Sequence, residues 1–187
     1  MTARDYLTDQ FLIAMPSLED PNFSRSVTYI CEHNEDGALG IVINRPTELT
    51  LADLLEQMDL SASQPAFGRR PVYLGGPVQR ERGFVLHPAG HEWDSTLVIN
   101  RHIAVTTSRD VIAALARGEG PEQCLIALGY AGWAAGQLED EIKDNAWLSG
   151  PAESDIMFRW PHDERWRGAA AGMGVDMALL TGFSGHA

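Results

Sequence analysis

The feature that most constrains the fold is a pair of apolar runs, SVTYICEH (26–33) and ALGIVIN (38–44), separated by NEDG (34–37). Strand-forming residues on both sides of a short polar turn are typical of a β-hairpin. Gly37 can take the positive φ that such a turn often requires. Pro46 favours an extended residue before it, so the second strand is expected to end at NRP.

Further strands are predicted on both sides of this hairpin, each bounded by turn residues such as Asp20-Pro21-Asn22. They are FLIAM (11–15), PVYLGGPV (71–78), GFVLHP (83–88), STLVIN (95–100), IAVTTS (103–108), QCLIALGYA (123–131) and AWLSGP (146–151). Hairpins outnumber crossover connections, which favours a mixed or antiparallel α+β fold over a doubly wound sheet.

Four helices are predicted between these strands, and residues 59–70 are expected to form a polar loop. Thr50 with Asp53 is a capping pair for the first helix, whose Leu51, Leu54, Leu55 and Met58 have helical spacing. The second helix is expected to follow a cap made by Thr107 with Asp110 and to end at Gly118. The third is expected to contain Leu138 and Ile142, and the fourth to span 162–173.

Length and charge limit the classes of protein that fit. A chain of 187 residues is the size of one domain, here 1–187, and its formal net charge is −12. Phosphate backbones repel such a chain unless its cations gather on one face, and the sequence contains no basic run, so nucleic-acid binding is disfavoured. Only two cysteines occur and no signal peptide or membrane span is evident, which predicts a soluble cytoplasmic protein of undetermined oligomeric state.

The stretch LGYAGWAAGQLEDEI (128–142) has the order of a phosphate-binding loop, an apolar run followed by glycines and a helix start. Its glycine spacing matches neither the dinucleotide fingerprint nor a P-loop, and the acidic helix start would repel a phosphate. The preferred interpretation is that Gly129 and Gly132 permit a tight strand exit across which Trp133 packs.

Catalytic and metal motifs are weak. Asp20, Ser26 and His33 are the residue types of a hydrolase triad, but Ser26 and His33 are expected near opposite ends of one strand, roughly 23 Å apart. The string GFSGH (182–186) lacks the last glycine of a nucleophile elbow. His87 and His91, with Glu92 and Asp94 nearby, suggest a polar turn more than a loop-borne metal site. No cofactor and no metal are therefore predicted.

Polar residues at strand ends form a more interesting set. Glu32, Asn44 and Arg45 fall near the hairpin ends, and Asp20 lies in the loop before it. An arginine, an asparagine and an acid in such positions could form a recognition pocket. They could equally form a buried network that ties the loops together, which is the interpretation we favour.

Three long blocks of the sequence resemble the YqgE/AlgH family of bacterial proteins. They are FLIAMPSLEDPNFSRSVTYICEHNEDGALGIVINRP, GGPVQRERGFVLHP, and GYAGWAAGQLEDEI with NAWL and Pro151. The resemblance implies a single α+β domain with a mixed, mostly antiparallel, bifurcated sheet that includes a small closed β-barrel, surrounded by helices. It implies a regulatory role in exopolysaccharide (alginate) gene expression. It does not imply an established activity, cofactor or substrate.

The resemblance also points to particular positions. The candidates for binding or interaction are Asp20, Phe23, Glu32, His33, Asn44, Arg45, Tyr130, Trp133, Gln137 and Glu139. Those expected to serve as structural turns are Pro21, Gly75, Gly76, Pro77, Gly129, Gly132 and Gly136. Phe23 and Trp133, if exposed, would anchor an interaction surface.

Three functions are compatible with the sequence. The first is a non-catalytic regulatory or interaction domain whose partner is another protein. The second is an enzyme or small-ligand binder in which Asn44, Arg45 and either Glu32 or His33 converge at a concave site. The third and least favoured is a direct DNA-binding regulator.

Overall fold

The computed structural model describes residues 6–184, with side chains as far as residue 180. These residues form two compact units. Unit 1 is made by the described residues before 45 and after 130, and unit 2 is Arg45–Tyr130. A single domain over 1–187 stays a prediction, and the GFSGH string extends beyond the described residues.

The strands, in chain order, are β1 Gln10–Ala14, β2 Val27–Asn34, β3 Gly37–Val42, β4 Pro46–Thr50, β5 Pro71–Leu74, β6 Val78–Pro88, β7 Thr96–Val98, β8 Ile103–Thr106, β9 Leu125–Ala134 and β10 Trp147–Pro151. The helices are α1 Leu51–Gln57, α2 Pro65–Gly68, α3 Arg109–Arg117, α4 Gln137–Lys143, α5 Ser154–Phe158, α6 Arg165–Ala171 and α7 Met177–Ser184, with a 3₁₀ turn at His162–Glu164. Within residues 6–184, no helix has both the length and the apolar character that crossing a bilayer demands.

Unit 1 is built on an antiparallel sheet in the order β10-β1-β2-β3, and the last residues of β9 pair with β3. Its core contains Leu12, Ala14, Ile30, Ala131, Trp133, Leu138 and Trp147. Helix α6 is tied to the sheet by two side chains. The Trp166 indole donates to the carbonyl oxygen of Ala14 at 2.9 Å, and the Arg165 guanidinium donates to that of Ile43.

Unit 2 uses the first residues of β9 as its central strand. β5 pairs with β9 in parallel and β6 pairs with it antiparallel, while β4 extends the sheet beside β5, and β8 and then β7 extend it beside β6. Helices α1 and α3 supply the apolar residues that cover these strands. The core of the unit contains Leu51, Leu55, Val72, Val85, Val111, Leu115, Ala116 and Ile126.

The predicted class, a mixed and mostly antiparallel α+β fold, is confirmed. The bifurcation of the sheet stays a prediction. The closed barrel is not confirmed. Among the described residues, the strand pairs of unit 2 run from β4 to β7 without a pair that joins these two ends.

Local signals predicted several elements correctly. The 26–44 hairpin forms with Gly37 at φ 134°, although its second strand ends at Val42. The Thr50 backbone N–H donates to the Asp53 carboxylate at 2.8 Å, as a capping pair should. The second helix also forms and ends at Gly118 in the left-handed conformation, although its cap residue is Ser108 and not Thr107.

Other predictions were wrong or incomplete. The strand exit at Gly129 and Gly132 does not exist, because β9 continues to Ala134. The elements that the sequence reading missed are β4, α2, α5 and α7, and the strand predicted over 95–100 is only Thr96–Val98. The strand predicted over 71–78 breaks between β5 and β6, and the helix predicted over 162–173 divides into the 3₁₀ turn and α6.

Candidate functional site

Helix α4 gathers most of the predicted site residues of unit 1. Gly136 precedes the helix with φ 77°, and Glu139 and Asp140 lie in its first turn, where carboxylates interact favourably with the helix dipole. Leu138 is fully buried in the core, which fixes the rotation of the helix. We call the side chains gathered here the α4 cluster. It consists of Phe23, His33, Trp133, Gln137, Glu139, Glu141 and Trp147.

His33 is held from both sides of its ring. The Leu7 backbone N–H donates to Nδ1 at 2.9 Å, and Nε2 lies 2.6 Å from Oε1 of Glu139. Because Nδ1 accepts a hydrogen bond, Nε2 must carry the proton that it donates to the carboxylate. The His33 side chain is 1% exposed and that of Glu139 40%. The pair therefore fixes the end of β2 to α4 and leaves no free imidazole nitrogen for a substrate.

Glu141 is the centre of a second group of hydrogen bonds. Its Oε1 accepts the indole N–H of Trp133 at 3.2 Å and that of Trp147 at 3.0 Å. Its Oε2 accepts the amide of Gln137 at 2.8 Å, and Oε1 of Gln137 accepts the Ala134 backbone N–H at 2.9 Å. One carboxylate thus accepts hydrogen bonds from the indole N–H groups of two nearly buried tryptophans, and a buried indole N–H needs such an acceptor.

Sequence reasoning did not select Glu141 or Trp147. A signal was available for the first of them, because Gln137 and Glu141 have the i,i+4 spacing of neighbours on a helix. Nothing in the sequence indicated that β10 would bring Trp147 to the same carboxylate.

Trp133 is only 6% exposed, so it is not the exposed aromatic anchor of an interaction surface. Phe23 is partly buried, with its ring 6.1 Å from that of Trp133 and 5.6 Å from that of Trp147. The Asp20 turn positions this ring, because the Asp20 carbonyl accepts the Phe23 N–H at 2.9 Å. Asp20 itself and Pro21 are exposed.

The strand-end polar residues of unit 1 do not converge on one pocket. Asn44 lies at the open end of the β2–β3 hairpin, where Oδ1 accepts the Val27 N–H and Nδ2 donates to the Arg25 carbonyl, both at 2.9 Å. Glu32 and His33 lie at the other end, near the turn. As neighbours on a strand they face opposite sides, and Glu32 is exposed while His33 is buried. Asn44 therefore takes part in a hydrogen-bond network that ties its loop to the start of β2.

The second sequence block lies in unit 2 with Arg45 and Tyr130. Gly75, Gly76 and Pro77 connect β5 to β6, and the Gly75 N–H donates to Leu128 at 2.8 Å. The Arg45 carbonyl accepts the N–H of Leu74 at 2.8 Å. The Tyr130 ring packs edge-on against Phe84 at 5.8 Å, and the Arg82 guanidinium lies 5.2 Å from the same phenylalanine.

Gly129 and Gly132 have different surroundings within β9. Residues 79–82 of β6 bulge opposite Gly129, which has φ 79°. A Cβ there would overlap the carbonyl oxygen of Gly76, so only glycine fits. Gly132 is paired with Leu39 inside the strand and is exposed.

His87 belongs to a directional chain of hydrogen bonds in unit 2. Its Nδ1 lies 2.9 Å from the Pro88 carbonyl, so Nδ1 carries the proton and Nε2 accepts from the Thr106 hydroxyl at 2.7 Å. Thr106 Oγ1 in turn accepts from Thr96 Oγ1 at 2.7 Å. Burial lowers the pKa of His87 below its ordinary value. The residue is therefore a neutral part of the core, and the polar turn predicted at His87 was wrong, because His87 lies buried within β6.

Of the two thiols, that of Cys31 is buried and that of Cys124 is partly buried. Burial raises the pKa of Cys31 to about 12. Burial also raises the pKa of Cys124, an effect partly offset by the Arg70 guanidinium, whose Nη1 lies 3.2 Å from the sulfur. Across the described part of the chain, no three histidine, cysteine, aspartate or glutamate side chains are grouped as metal ligands. The hydrogen bonds within the α4 cluster hold helix α4 to the core of unit 1.

Comparison with known proteins places the whole chain in one group. The DUF179 (AlgH-like) family model matches residues 11–178. A UPF0301 protein of Thioalkalivibrio sulfidiphilus is 60% identical over 187 residues, covering 100% of both chains. The UPF0301 protein AlgH of Pseudomonas aeruginosa is 55% identical over 183 residues, covering 97% of this chain and 96% of the relative.

Solved structures agree with this grouping. The solution structure of AlgH from Pseudomonas aeruginosa matches with a TM-score of 0.81 at 54% identity, covering 97% of this chain and 96% of that one. A crystal structure of a Corynebacterium diphtheriae protein matches with a TM-score of 0.75 at 20% identity, covering 97% and 94% of the two chains, and shows the fold alone. From the family match and the full-length identity, the chain belongs to the AlgH-like (DUF179) family.

Proposed function

We propose that this protein is a non-catalytic regulatory domain that binds another protein, and that strand β7 of unit 2 is the docking edge. The observation that carries the proposal is the exposure of two adjacent apolar side chains on this strand, Leu97 at 51% and Val98 at 47%. Adjacent strand residues face opposite sides, so β7 presents apolar surface on both of its faces. Exposed apolar edge strands are sites at which a partner strand can pair.

The backbone of β7 supports the same conclusion. The Thr107 N–H donates to Ser95 and the Ile99 N–H donates to Ile103, so alternate residues of this strand direct their polar groups toward β8. By the antiparallel pattern, Thr96 and Val98 direct their N–H and carbonyl groups away from β8. A partner strand could pair with these outward groups while its side chains pack on Leu97 or Val98.

The charge of the chain favours a protein over DNA as the partner. With a formal net charge of −12, the chain repels a phosphate backbone. A role in gene expression, including exopolysaccharide synthesis, would then be indirect and would depend on the bound protein. The residues of the α4 cluster stabilise unit 1 in this account and do not contact the partner.

A crosslinking experiment tests the proposal. A photo-reactive phenylalanine analogue replaces Leu97, and a control protein carries it at the exposed Glu153 of unit 1. After irradiation in cells, we expect a partner crosslinked through position 97 and absent at position 153. The partner is then purified and its Kd for the unmodified protein is measured.

Two variants at Val98 separate strand pairing from general surface contact. Val98→Pro removes the outward N–H, and Val98→Thr keeps both this donor and the β-branched shape. Loss of one hydrogen bond of about 1 kcal/mol predicts roughly fivefold weaker binding for the proline variant. Equal affinity of the two variants, or no crosslink specific to position 97, would contradict the proposal.

A further inference from the structure

Unit 2 contains a cavity of about 270 Å³ that the predicted site residues do not line. It lies between helices α1 and α3 and the strands β6, β8 and β9. Its apolar lining includes Leu54, Met58, Val85, Ile112, Ile126 and Leu128. Ile126 and Val85 also belong to the core of the unit, so the cavity continues the core toward the surface.

Gly83, an exposed residue of β6, forms part of the cavity wall. A Cβ built on Gly83 would meet nothing within 4 Å, and the residue does not have a positive φ. Other side chains are therefore sterically allowed at this position. A glycine inside a strand often marks a bulge or a site where a ligand approaches closely. Gly83 follows the bulge at residues 79–82 and is itself paired with Leu128 in the ladder, so we attribute its missing side chain to the approach of a ligand.

The size of the cavity limits its occupant. A protein cavity of about 150 Å³ lined by apolar side chains can bind benzene. A volume of about 270 Å³ therefore suits a bicyclic aromatic molecule or an aliphatic chain of about six carbons. This volume is slightly below the range for small-molecule sites, roughly 300–1,000 Å³.

The exposed polar residues of the lining decide the charge of the occupant. They are Gln57, Glu81, Thr107 and Arg109. One carboxylate and one guanidinium balance each other, so neither an anionic nor a cationic head gains a net attraction. Moving an ionic head toward the apolar lining would cost solvation free energy. The Gln57 amide and the Thr107 hydroxyl are suited to a neutral hydrogen-bonding head.

We propose that this cavity is a binding site for a small, uncharged, mainly apolar molecule with one hydrogen-bonding group. The apolar body would lie against Leu54, Ile112 and Leu128, next to Gly83, and the polar group would face Gln57 and Thr107. The proposal does not depend on the docking edge at β7, because the two features share no residue.

The test uses three probes of six carbons each that differ in the head group, 1-hexanol, hexanoate and hexylamine, together with indole. Each is titrated at pH 7 into the methyl-labelled full-length protein and followed by NMR. Burial of five or six methylene groups predicts a Kd of roughly 1 mM or below for hexanol. We expect saturating shifts at the methyl groups of Leu54, Ile112 and Leu128, tighter binding of hexanol than of either ion, and binding of indole.

Variants locate the site independently. Gly83→Val fills the cavity from β6, and its three added carbons should weaken hexanol binding at least about tenfold. Ala66→Val, at an exposed position of α2 outside the cavity, is the matched control and should bind as the wild type does. Ile112→Phe fills the cavity from α3 and serves if the first variant does not fold, as judged by circular dichroism and melting.

Several outcomes would overturn the proposal. These are the absence of saturation up to the solubility limit, methyl shifts that lie away from the cavity, and unchanged hexanol affinity in a folded cavity-filling variant. Binding of hexanoate or hexylamine as tightly as hexanol would refute the neutral head.

Discussion

The hydrogen bonds of Glu141 predict a large effect from an isosteric substitution. In Glu141→Gln, the amide oxygen can still accept both indole N–H groups, but without the negative charge. The amide nitrogen now faces the amide nitrogen of Gln137, where the carboxylate had accepted a bond of 2.8 Å. The substitution thus weakens two bonds and replaces the third by two opposed donors.

The magnitude follows from these three changes. A hydrogen bond to a charged group contributes about 1 kcal/mol more than one between neutral groups, so the two indole bonds together lose about 2 kcal/mol. The bond to Gln137 is exposed and adds less than about 1 kcal/mol. Because Glu141 is only half-buried, we take the lower part of this range. The free energy of unfolding is expected to fall by about 2 kcal/mol.

A second substitution should restore part of the loss. In the double variant Gln137→Glu with Glu141→Gln, the carboxylate at 137 accepts the amide of residue 141 and the Ala134 N–H. Position 137 is also the first residue of α4, where a negative charge is favourable. We expect recovery of about 1 kcal/mol relative to Glu141→Gln alone. Gln137→Glu alone should be destabilising, because two carboxylates then face each other.

Urea unfolding of the four proteins, followed by far-ultraviolet circular dichroism, measures this cycle. This probe avoids the tryptophan fluorescence that the substitutions themselves alter. Equal m-values are needed for the free energies to be compared. A loss below about 0.5 kcal/mol for Glu141→Gln, or a double variant equal to the sum of the single ones, would show that Glu141 does not stabilise unit 1 through these bonds.

Two further predictions concern unit 2. Gly129→Ala should lower the free energy of unfolding by at least about 2 kcal/mol, because the new Cβ overlaps Gly76 and alanine disfavours a positive φ. Gly136→Ala is the control. It also places alanine at a positive φ, but its Cβ meets open space, so the variant should lose only about 1 kcal/mol. Equal losses in urea unfolding would contradict this. For His87, the pKa in the folded protein is lowered, so just below about pH 6.5 only the unfolded chain binds a proton at this residue. The contribution of His87 to stability is therefore present above that pH. It is lost as the pH falls, by up to about 1.4 kcal/mol per pH unit. His87→Gln should flatten the fall in stability between pH 6.5 and 5 in thermal melts, and an unchanged slope would show that the histidine is not the cause.

The parts of the fold that could be predicted from sequence are those specified by neighbouring residues. The hairpin around Gly37 and the cap at Thr50 depend on contacts within a few positions, and both formed as expected. The course of β9 could not be predicted in this way. Gly129 looks like a turn residue in sequence, but its positive φ accommodates a bulge in β6 that lies about fifty residues earlier.

The same distinction applies to the sites. The blocks of sequence that carry the family resemblance contain His33, Trp133 and Glu139, and the fold brings these together. Their hydrogen bonds are made within unit 1, so a specific sequence pattern here marks a packing requirement. The docking edge and the cavity had no comparable signal. In the sequence, Leu97 looks like an ordinary strand residue, and Gly83 looks like the first residue of a strand.

Amide hydrogen exchange at β7, measured with and without the partner identified by crosslinking, tests the docking edge directly. In the free protein, the Val98 amide should exchange quickly because it faces away from β8, and the Leu97 amide should be the slower of the two. If β7 is the docking edge, binding of the partner slows exchange at Val98 and changes Leu97 little. An unchanged Val98 amide in the saturated complex would show that the partner binds elsewhere.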